Sequence, residues 1–217
     1  MRPLRPVHLV ALFLLHTALW IGLSVIIPGN DHVRYGNIGA WSTPWVRQFV
    51  IPLLVVLAVQ LIFIRRFHLH REVWRDEHPT PRRWIVVFPL LMALGSVGVL
   101  MTRGLSDAPV SYWIGIGVTM TLVGLTEELT FRGVLLVGGR QVFGSERRAL
   151  LVSSLLFGLF HLPNLFTGQA LGLTLKQVLS TTVLGMAFYC LRRVTTRLWP
   201  AVALHALYDF ALLQSLF

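Results

Sequence analysis

Long apolar stretches separated by short basic segments are the feature that most limits how this chain can fold. A helix needs roughly 20 apolar residues to cross the hydrocarbon core of a membrane, and irregular backbone is unfavourable there because its polar groups find no partners. The chain is therefore expected to be an all-α, polytopic transmembrane helix bundle with about seven spans. The predicted spans are Val7–Ile27, Trp45–Ile64, Trp84–Met101, Tyr112–Val137, Ala149–Leu162, Leu171–Leu191 and Pro200–Phe217.

Composition agrees with a membrane protein. Hydrophobic residues make up 55% of the 217 residues and charged residues 13%, a larger apolar share than in an average soluble domain. The first apolar stretch, which follows Arg2 and Arg5, is longer than that of a typical secretory signal, so we expect it to remain as a span. No repeat or break in composition divides the chain. We predict a single integral-membrane domain over residues 1–217, with three amino-terminal spans in residues 7–104 and a four-span core in residues 110–217.

The positions of the basic residues predict the orientation. With the amino terminus inside, fourteen of the 19 Lys and Arg residues lie in inner segments, and the outer segments hold Arg34, Arg47, Arg103 and Lys176. Cytoplasmic loops carry an excess of Lys and Arg, so the amino terminus is predicted to be cytoplasmic. A nucleic-acid binder would cluster basic and polar residues on one face, so the formal net charge of +10 does not indicate one.

Two further features are expected to carry no chemistry. The connector Arg65–Arg83 mixes Glu72, Asp76 and Glu77 with arginines, and we expect it to be solvated or to face lipid headgroups. The single cysteine, Cys190, excludes an internal disulfide.

Ionisable side chains inside the predicted spans are the strongest functional signal. Each destabilises the centre of a span by about 2.5–3.5 kcal/mol even on the most lenient insertion scale. A lone histidine in an apolar helix is more often a buried core residue than a catalyst, but burying many such groups without mutual contact is very unfavourable. We therefore expect one shared site. Its members are Glu127, Glu128 and Arg132 in the fourth span, His161 in the fifth, and His205 and Asp209 in the seventh.

Helix geometry divides the acidic pair. Glu128 and Arg132 are four residues apart, so they share a helix face and can form an ion pair. Glu127 is rotated about 100° from Glu128 and is expected to face a different cavity. His205 and Asp209 are also four residues apart. Counted from the inner ends of the spans, the polar residues lie at similar depths of ~8–18 Å, so they can meet.

The residue types in this group fit hydrolysis of an amide bond. A carboxylate and an imidazole can activate a water molecule, and a second histidine held by a neighbour can stabilise an oxyanion. The chain lacks the HExxH motif of zinc proteases and the GxSxG elbow of serine hydrolases. If a metal is present, Glu127, His161 and His205 are its candidate ligands, and zinc stays open. We favour a mechanism without a cofactor, because Arg132 already provides a positive charge next to Glu128.

Three motifs on the late spans resemble a known family, the CPBP family of CAAX-protease and bacteriocin-processing (Abi) intramembrane endopeptidases. The resemblance covers about Tyr112 to the end of the chain, so the four-span core would be the catalytic core. The family has been described both as metalloproteases and as glutamate-dependent proteases without metal. The motifs are Glu127-Glu128-x-x-x-Arg132, Phe157-x-x-x-His161 and His205-x-x-x-Asp209.

The resemblance implies roles for the site residues. Glu127 and His161 would position the attacking water, while Glu128 and Arg132 would orient the site. The oxyanion side would be formed by His205 and the residue at the position of Asp209. Eukaryotic prenyl-protein members carry Asn at that position, and an ionised carboxylate only accepts hydrogen bonds. Asp209 is therefore expected to orient His205.

These observations predict an intramembrane endopeptidase that cleaves a membrane-embedded or lipidated protein or peptide. The expected location is the lipid bilayer of a cell inner membrane, in a bacterium, with no nucleic-acid partner. One alternative is a proton-coupled membrane transporter that uses the same residues as a relay, although no paired inverted repeats are visible. A second alternative is a non-catalytic immunity or scaffold member of the same family.

Overall fold

The described part of the chain consists mainly of apolar helices. A computed structural model describes residues 4–27, 43–77, 80, 82–104 and 109–214. We number its helices α1 Pro6–Ile26, α2 Val46–Arg66, α3 His70–Trp74, α4 Arg83–Arg103, α5 Val110–Phe143, α6 Glu146–Leu159, α7 Leu171–Thr195 and α8 Trp199–Gln214. These described residues contain no β-strand, only an isolated bridge between Arg75 and Arg197.

The predicted all-α bundle is confirmed. Within the described ranges, six helices are long and apolar enough to cross a membrane, if α6 is counted with the 3₁₀ turn that follows it. The seventh predicted span corresponds to α8, a shorter apolar helix. The fourth predicted span, Tyr112–Val137, extends further at both ends, because α5 is a helical segment of 34 residues. Arg2, Arg34 and the last three residues of the predicted seventh span lie outside the described residues. The cytoplasmic amino terminus and the division of the domain stay predictions.

A close approach of α5 and α8 sets the position of the candidate site. A Cβ added to Gly124 on α5 would lie 3.0 Å from the main-chain oxygen of Val202 and 3.2 Å from the amide nitrogen of Ala206. Only a glycine lets the two backbones come this close. The contact brings His205 alongside the helical turn of α5 that follows Gly124.

A sharp reversal places α6 against α5. Gly144 ends α5 in the left-handed conformation, with φ of 57°, which a residue without Cβ adopts at little steric cost. Ser145 then caps α6, because its hydroxyl accepts a hydrogen bond from the Arg148 N–H at 3.4 Å. Phe157 of α6 consequently packs on Phe131 of α5, with ring centroids 5.0 Å apart.

The connector Arg65–Arg83 differs from its prediction. It contains α3, whose Val73 is buried, and Asp76 is only 3% exposed. Asp76 forms ion pairs with Arg140 at 2.9 Å and with Arg192 at 3.7 Å. The expectation of a connector that is solvated or faces lipid headgroups is therefore wrong at Val73 and Asp76. These two arginines lie near the ends of α5 and α7, where burial makes a nearby carboxylate necessary.

Candidate active site

The backbone of α5 changes its hydrogen-bonding pattern directly after the acidic pair. Residues Val110–Glu128 form an α-helix, Leu129–Leu135 form a π-helical segment, and Leu136–Phe143 return to α-helix. All seven residues of the π-helical segment are buried. π-helical turns are frequently found at functional sites. The sequence-based reasoning treated this stretch as a regular helix and did not detect the segment.

The predicted ion pair between Glu128 and Arg132 is confirmed. Arg132 Nη1 donates to Glu128 Oε1 at 2.9 Å, and both side chains are 0% exposed. The guanidinium carbon lies 4.1 Å from the ring centroid of Phe157 and 5.0 Å from that of Phe188. Arg132 Nε also donates to the carbonyl of Gly185 at 3.4 Å. The cation is therefore held by α6 and α7 as well as by its own helix.

His205 is surrounded by three carboxylates. Its Nδ1 lies 2.9 Å from Glu128 Oε1, and its Nε2 lies 3.4 Å from Asp209 Oδ2 and 3.8 Å from Glu127 Oε2. The ring stacks on Phe188 at a centroid distance of 4.7 Å and an angle of 15°. The contact with Asp209 was expected from sequence. The shorter contact with Glu128 was not.

One carboxylate oxygen of Glu127 has no hydrogen-bond partner among the described residues. The residue is 8% exposed, and Oε2 is buried without a hydrogen-bond partner among the described residues. The imidazole Nε2 of His205 lies 3.8 Å from Oε2 of Glu127. A buried carboxylate oxygen with free lone pairs is unfavourable unless a water molecule or ligand occupies it. Glu127 can therefore accept a hydrogen bond from a bound water.

His161 lies where α6 gives way to a 3₁₀ turn. Its Nδ1 is 3.0 Å from the carbonyl oxygen of Phe157, which assigns the ring hydrogen to Nδ1 and leaves Nε2 as an acceptor. The rings of Phe157 and Phe160 contact it edge-on at 5.5 and 5.6 Å. The ring of Phe157 also lies 5.7 Å from that of His205, so it contacts both histidines. Its cooperation with Glu127 through a shared water stays a prediction.

The donor set does not fit a zinc site in this arrangement. Both ring nitrogens of His205 lie beside carboxylate oxygens, with Nδ1 2.9 Å from Glu128 and Nε2 3.4 Å from Asp209. Across the described ranges, no group of three or more His, Cys, Asp or Glu side chains is placed to hold a metal ion. We therefore derive no step through a metal.

Phe188 is the part of the site that sequence reasoning missed entirely. Its ring contacts the guanidinium of Arg132 on one side and the imidazole of His205 on the other. Phenylalanine is common in apolar spans, so the residue type carried no signal. Phe157, in contrast, was visible as the first residue of the motif that ends in His161.

Comparison with known proteins agrees with the motifs. Residues 109–211 match the family described as type II CAAX prenyl endopeptidase Rce1-like, and the matched range contains every candidate site residue. The comparisons with curated proteins and with solved structures returned no match. The matched range covers α5 to α8, the helices that build the site. Residues 109–211 of this multi-pass membrane protein are therefore similar to the CAAX-type endopeptidases of the CPBP family, the family that the three motifs resemble.

Proposed function

We propose that the protein hydrolyses a peptide bond of a membrane-associated protein or peptide, with Glu127 as the base that activates water. The observation that carries this proposal is the free oxygen of Glu127. Oε2 lacks a hydrogen-bond partner among the described residues, whereas Oε1 of Glu128 contacts both Arg132 and His205. Glu128 Oε2 also lacks such a partner, but Glu128 is 0% exposed and paired with Arg132 and His205. Glu127 is 8% exposed and has no contact as short as these, so it is the acid that a water can reach.

The first step is attack by water on the scissile carbonyl. A water bound to Glu127 Oε2 and to Nε2 of His161 gives a proton to Glu127 as its oxygen bonds to the carbonyl carbon. The same proton then passes from Glu127 to the nitrogen of the leaving peptide, and the C–N bond breaks. One water is consumed, and the products are a carboxylic acid and an amine, which ionise to a carboxylate and an ammonium group by transfer of the water's second proton.

His205 is positioned to stabilise the oxyanion of the tetrahedral intermediate. Its Nδ1 is held by Glu128 at 2.9 Å. Its Nε2 is 3.4 Å and 3.8 Å from the carboxylates of Asp209 and Glu127, both longer than an ordinary N–H···O hydrogen bond of about 2.7–3.2 Å. A hydrogen on Nε2 is therefore only weakly engaged and can turn to a developing oxyanion.

The chemistry is proposed to be independent of metal, and the substrate to be membrane-embedded or lipidated. The arrangement of His205 between carboxylates supports the first point, since a zinc ligand needs a free nitrogen lone pair. The placement of the site within apolar helices supports the second, since a substrate must reach it from the bilayer or its face. A prenylated CAAX tail, which the family description names, is one candidate class. The bacterial inner membrane is the proposed location.

The test compares membrane peptides from cells that express wild-type protein or Glu127→Gln. The control is Glu77→Gln, which alters an exposed carboxylate on the connector. We expect a defined set of membrane precursors to accumulate uncleaved with Glu127→Gln and to be processed normally with the control. Identical peptide termini in all three samples would overturn the proposal.

Purified protein in proteoliposomes resolves the finer points. A farnesylated CAAX peptide and its unprenylated form separate lipid-dependent recognition from general peptide cleavage. An arm with a zinc chelator tests metal independence, and we expect cleavage to persist. Loss of cleavage with chelator and its return with added zinc would refute the metal-independent mechanism while leaving the protease assignment intact.

A further inference from the structure

A buried polar cluster joins the amino-terminal helices to the acidic pair. It consists of His16 on α1, Gln60 on α2, and Thr126 and Thr130 on α5, and we call it the His16–Gln60 cluster. His16 is 2% exposed and Gln60 is 0% exposed. Both residues lie outside the range 109–211 that matches the family. The membrane-spanning role of α1 and α2 is explained by their hydropathy. The burial of a histidine and a glutamine next to the acidic pair is not.

Gln60 bonds to α5 on both sides of the acidic pair. Its Nε2 donates to the carbonyl oxygen of Thr126 and to Oγ1 of Thr130, both at 2.7 Å. Thr126 directly precedes Glu127, and Thr130 lies two residues after Glu128. The carbonyl of Thr126 also accepts from the N–H of Leu129, the first residue of the π-helical segment. Gln60 supplies this carbonyl with a side-chain donor.

The hydroxyl of Thr130 extends the cluster to α1. A threonine in a helix commonly donates to the carbonyl four residues earlier, as Thr126 does to Leu122 at 2.9 Å. For Thr130 that carbonyl belongs to Thr126, which accepts from Gln60. Thr130 Oγ1 instead lies 2.8 Å from Nδ1 of His16. The hydroxyl of Thr130 therefore joins Gln60 on α2 to His16 on α1.

His16 also contacts the second motif. Its ring lies 4.9 Å from the ring of Phe160 and 6.2 Å from that of Phe131. Phe160 directly precedes His161, and Phe131 directly precedes Arg132. The cluster therefore reaches both catalytic segments through residues next to them in the chain.

We infer that Gln60 and His16 are positioning residues, which hold the turn Thr126–Thr130 through their shared bonds to Thr130 and so fix the direction in which Glu127 faces. The inference rests on the proposed function, because it takes Glu127 as the base. It makes α1 and α2 part of the catalytic unit. They would not serve only as membrane anchors.

Thr130 offers a matched pair of variants. Thr130→Val removes the hydroxyl shared by Gln60 and His16 with almost no change in shape, and Thr130→Ser keeps it. We expect Thr130→Val to lower the rate of precursor processing about 10-fold or more, since a misplacement of ~1 Å at a reacting group can lower a rate about 100-fold. Thr130→Ser is expected to stay within about 2-fold of wild type, because it preserves the hydrogen bonds. Thr121→Val is the control, since Thr121 is exposed on the same helix and bonds to its own Gly117 carbonyl.

Two quantities are measured for each variant. The first is the fraction processed of those precursors that accumulate in cells with Glu127→Gln, and the second is the thermal unfolding of the purified protein. Equal impairment of Thr130→Ser and Thr130→Val would overturn the inference, because the hydroxyl would then be irrelevant. Wild-type processing by Thr130→Val, alongside an inactive Glu127→Gln, would overturn it and leave the proposed function standing. Wild-type processing by Glu127→Gln would overturn both.

A second variant covers the case in which Thr130→Val does not accumulate in the membrane. Gln60→Met keeps the length of the side chain and removes the amide donor. We expect the same loss of processing, with an unfolding temperature near that of wild type. Full processing by Gln60→Met would refute the positioning role of Gln60.

Discussion

Replacing Arg132 by methionine tests whether the buried ion pair supports the fold as well as the site. The side chains of Arg132 and Glu128 are both 0% exposed and 2.9 Å apart. Removing one partner of a buried pair destabilises a protein by about 3–5 kcal/mol, because the other charge is left uncompensated. Glu128 keeps His205 as a second partner at 2.9 Å, so we expect the lower end of this range, about 3 kcal/mol.

The loss is measured as a shift in thermal unfolding of the purified protein in detergent. Tryptophan fluorescence suits this measurement, because the chain has seven tryptophans. For a chain of this size, 1 kcal/mol corresponds to about 2–4 °C. Arg132→Met is therefore expected to lower the unfolding temperature by roughly 6–12 °C.

The double variant Glu128→Gln/Arg132→Met is the control for charge. It removes both charges, and replacing a whole buried pair by uncharged residues is often close to neutral. We expect the double variant to recover at least half of the loss in unfolding temperature. If Arg132→Met is as stable as the double variant or more stable, the unpaired charge is not the cause and the reasoning is refuted.

Three further predictions use contacts of the same helices. Gly124→Ala places a Cβ 3.0 Å from a main-chain oxygen of α8, and it should lower precursor processing about 10-fold because it displaces the histidine of that helix. Gly117→Ala is the control, since its added Cβ has no atom within 4 Å and should not change processing. Equal results for the two variants would contradict the packing argument. Asp209→Asn should keep processing within about 10-fold of wild type, because an amide can hydrogen-bond the imidazole of His205. Asp209→Leu should abolish processing, and equal activity of the two variants would exclude a role for Asp209 in orienting His205. Asp76→Asn should lower the free energy of unfolding by about 3 kcal/mol, because it leaves the buried Arg192 without its carboxylate, whereas Arg140 keeps Glu146 at 2.7 Å. Glu77→Gln, at an exposed position, should change this free energy by less than about 0.5 kcal/mol, and a similar shift for both variants would show that burial is not the cause.

The membrane-spanning helices were predictable because length and apolarity alone identify a segment that can cross a bilayer. The connector was mispredicted at Asp76 for the opposite reason. A carboxylate among arginines has the composition of a solvated loop, and its burial depends on Arg140 and Arg192, which are distant in sequence. Local composition contains no information about such partners.

The candidate site was predictable where its contacts lie within one helix. Residues four apart share a face, so the contacts of Arg132 with Glu128 and of Asp209 with His205 followed from spacing. The contact between Glu128 and His205 joins two helices, and its geometry depends on their rotation and approach. His16 and Gln60 were visible as polar residues in apolar spans, but their partners on α5 were not.

The sequence by itself determined that this chain is a membrane-spanning helical bundle with ionisable groups in its late spans, because the transfer of apolar and charged groups into lipid depends on residue type. Only the tertiary structure decided that Glu128 also contacts a histidine on another helix. The close approach at Gly124 brings His205 to Glu128, and a π-helical segment begins directly after the acidic pair. Both effects arise from packing between helices, which no local pattern of residues specifies.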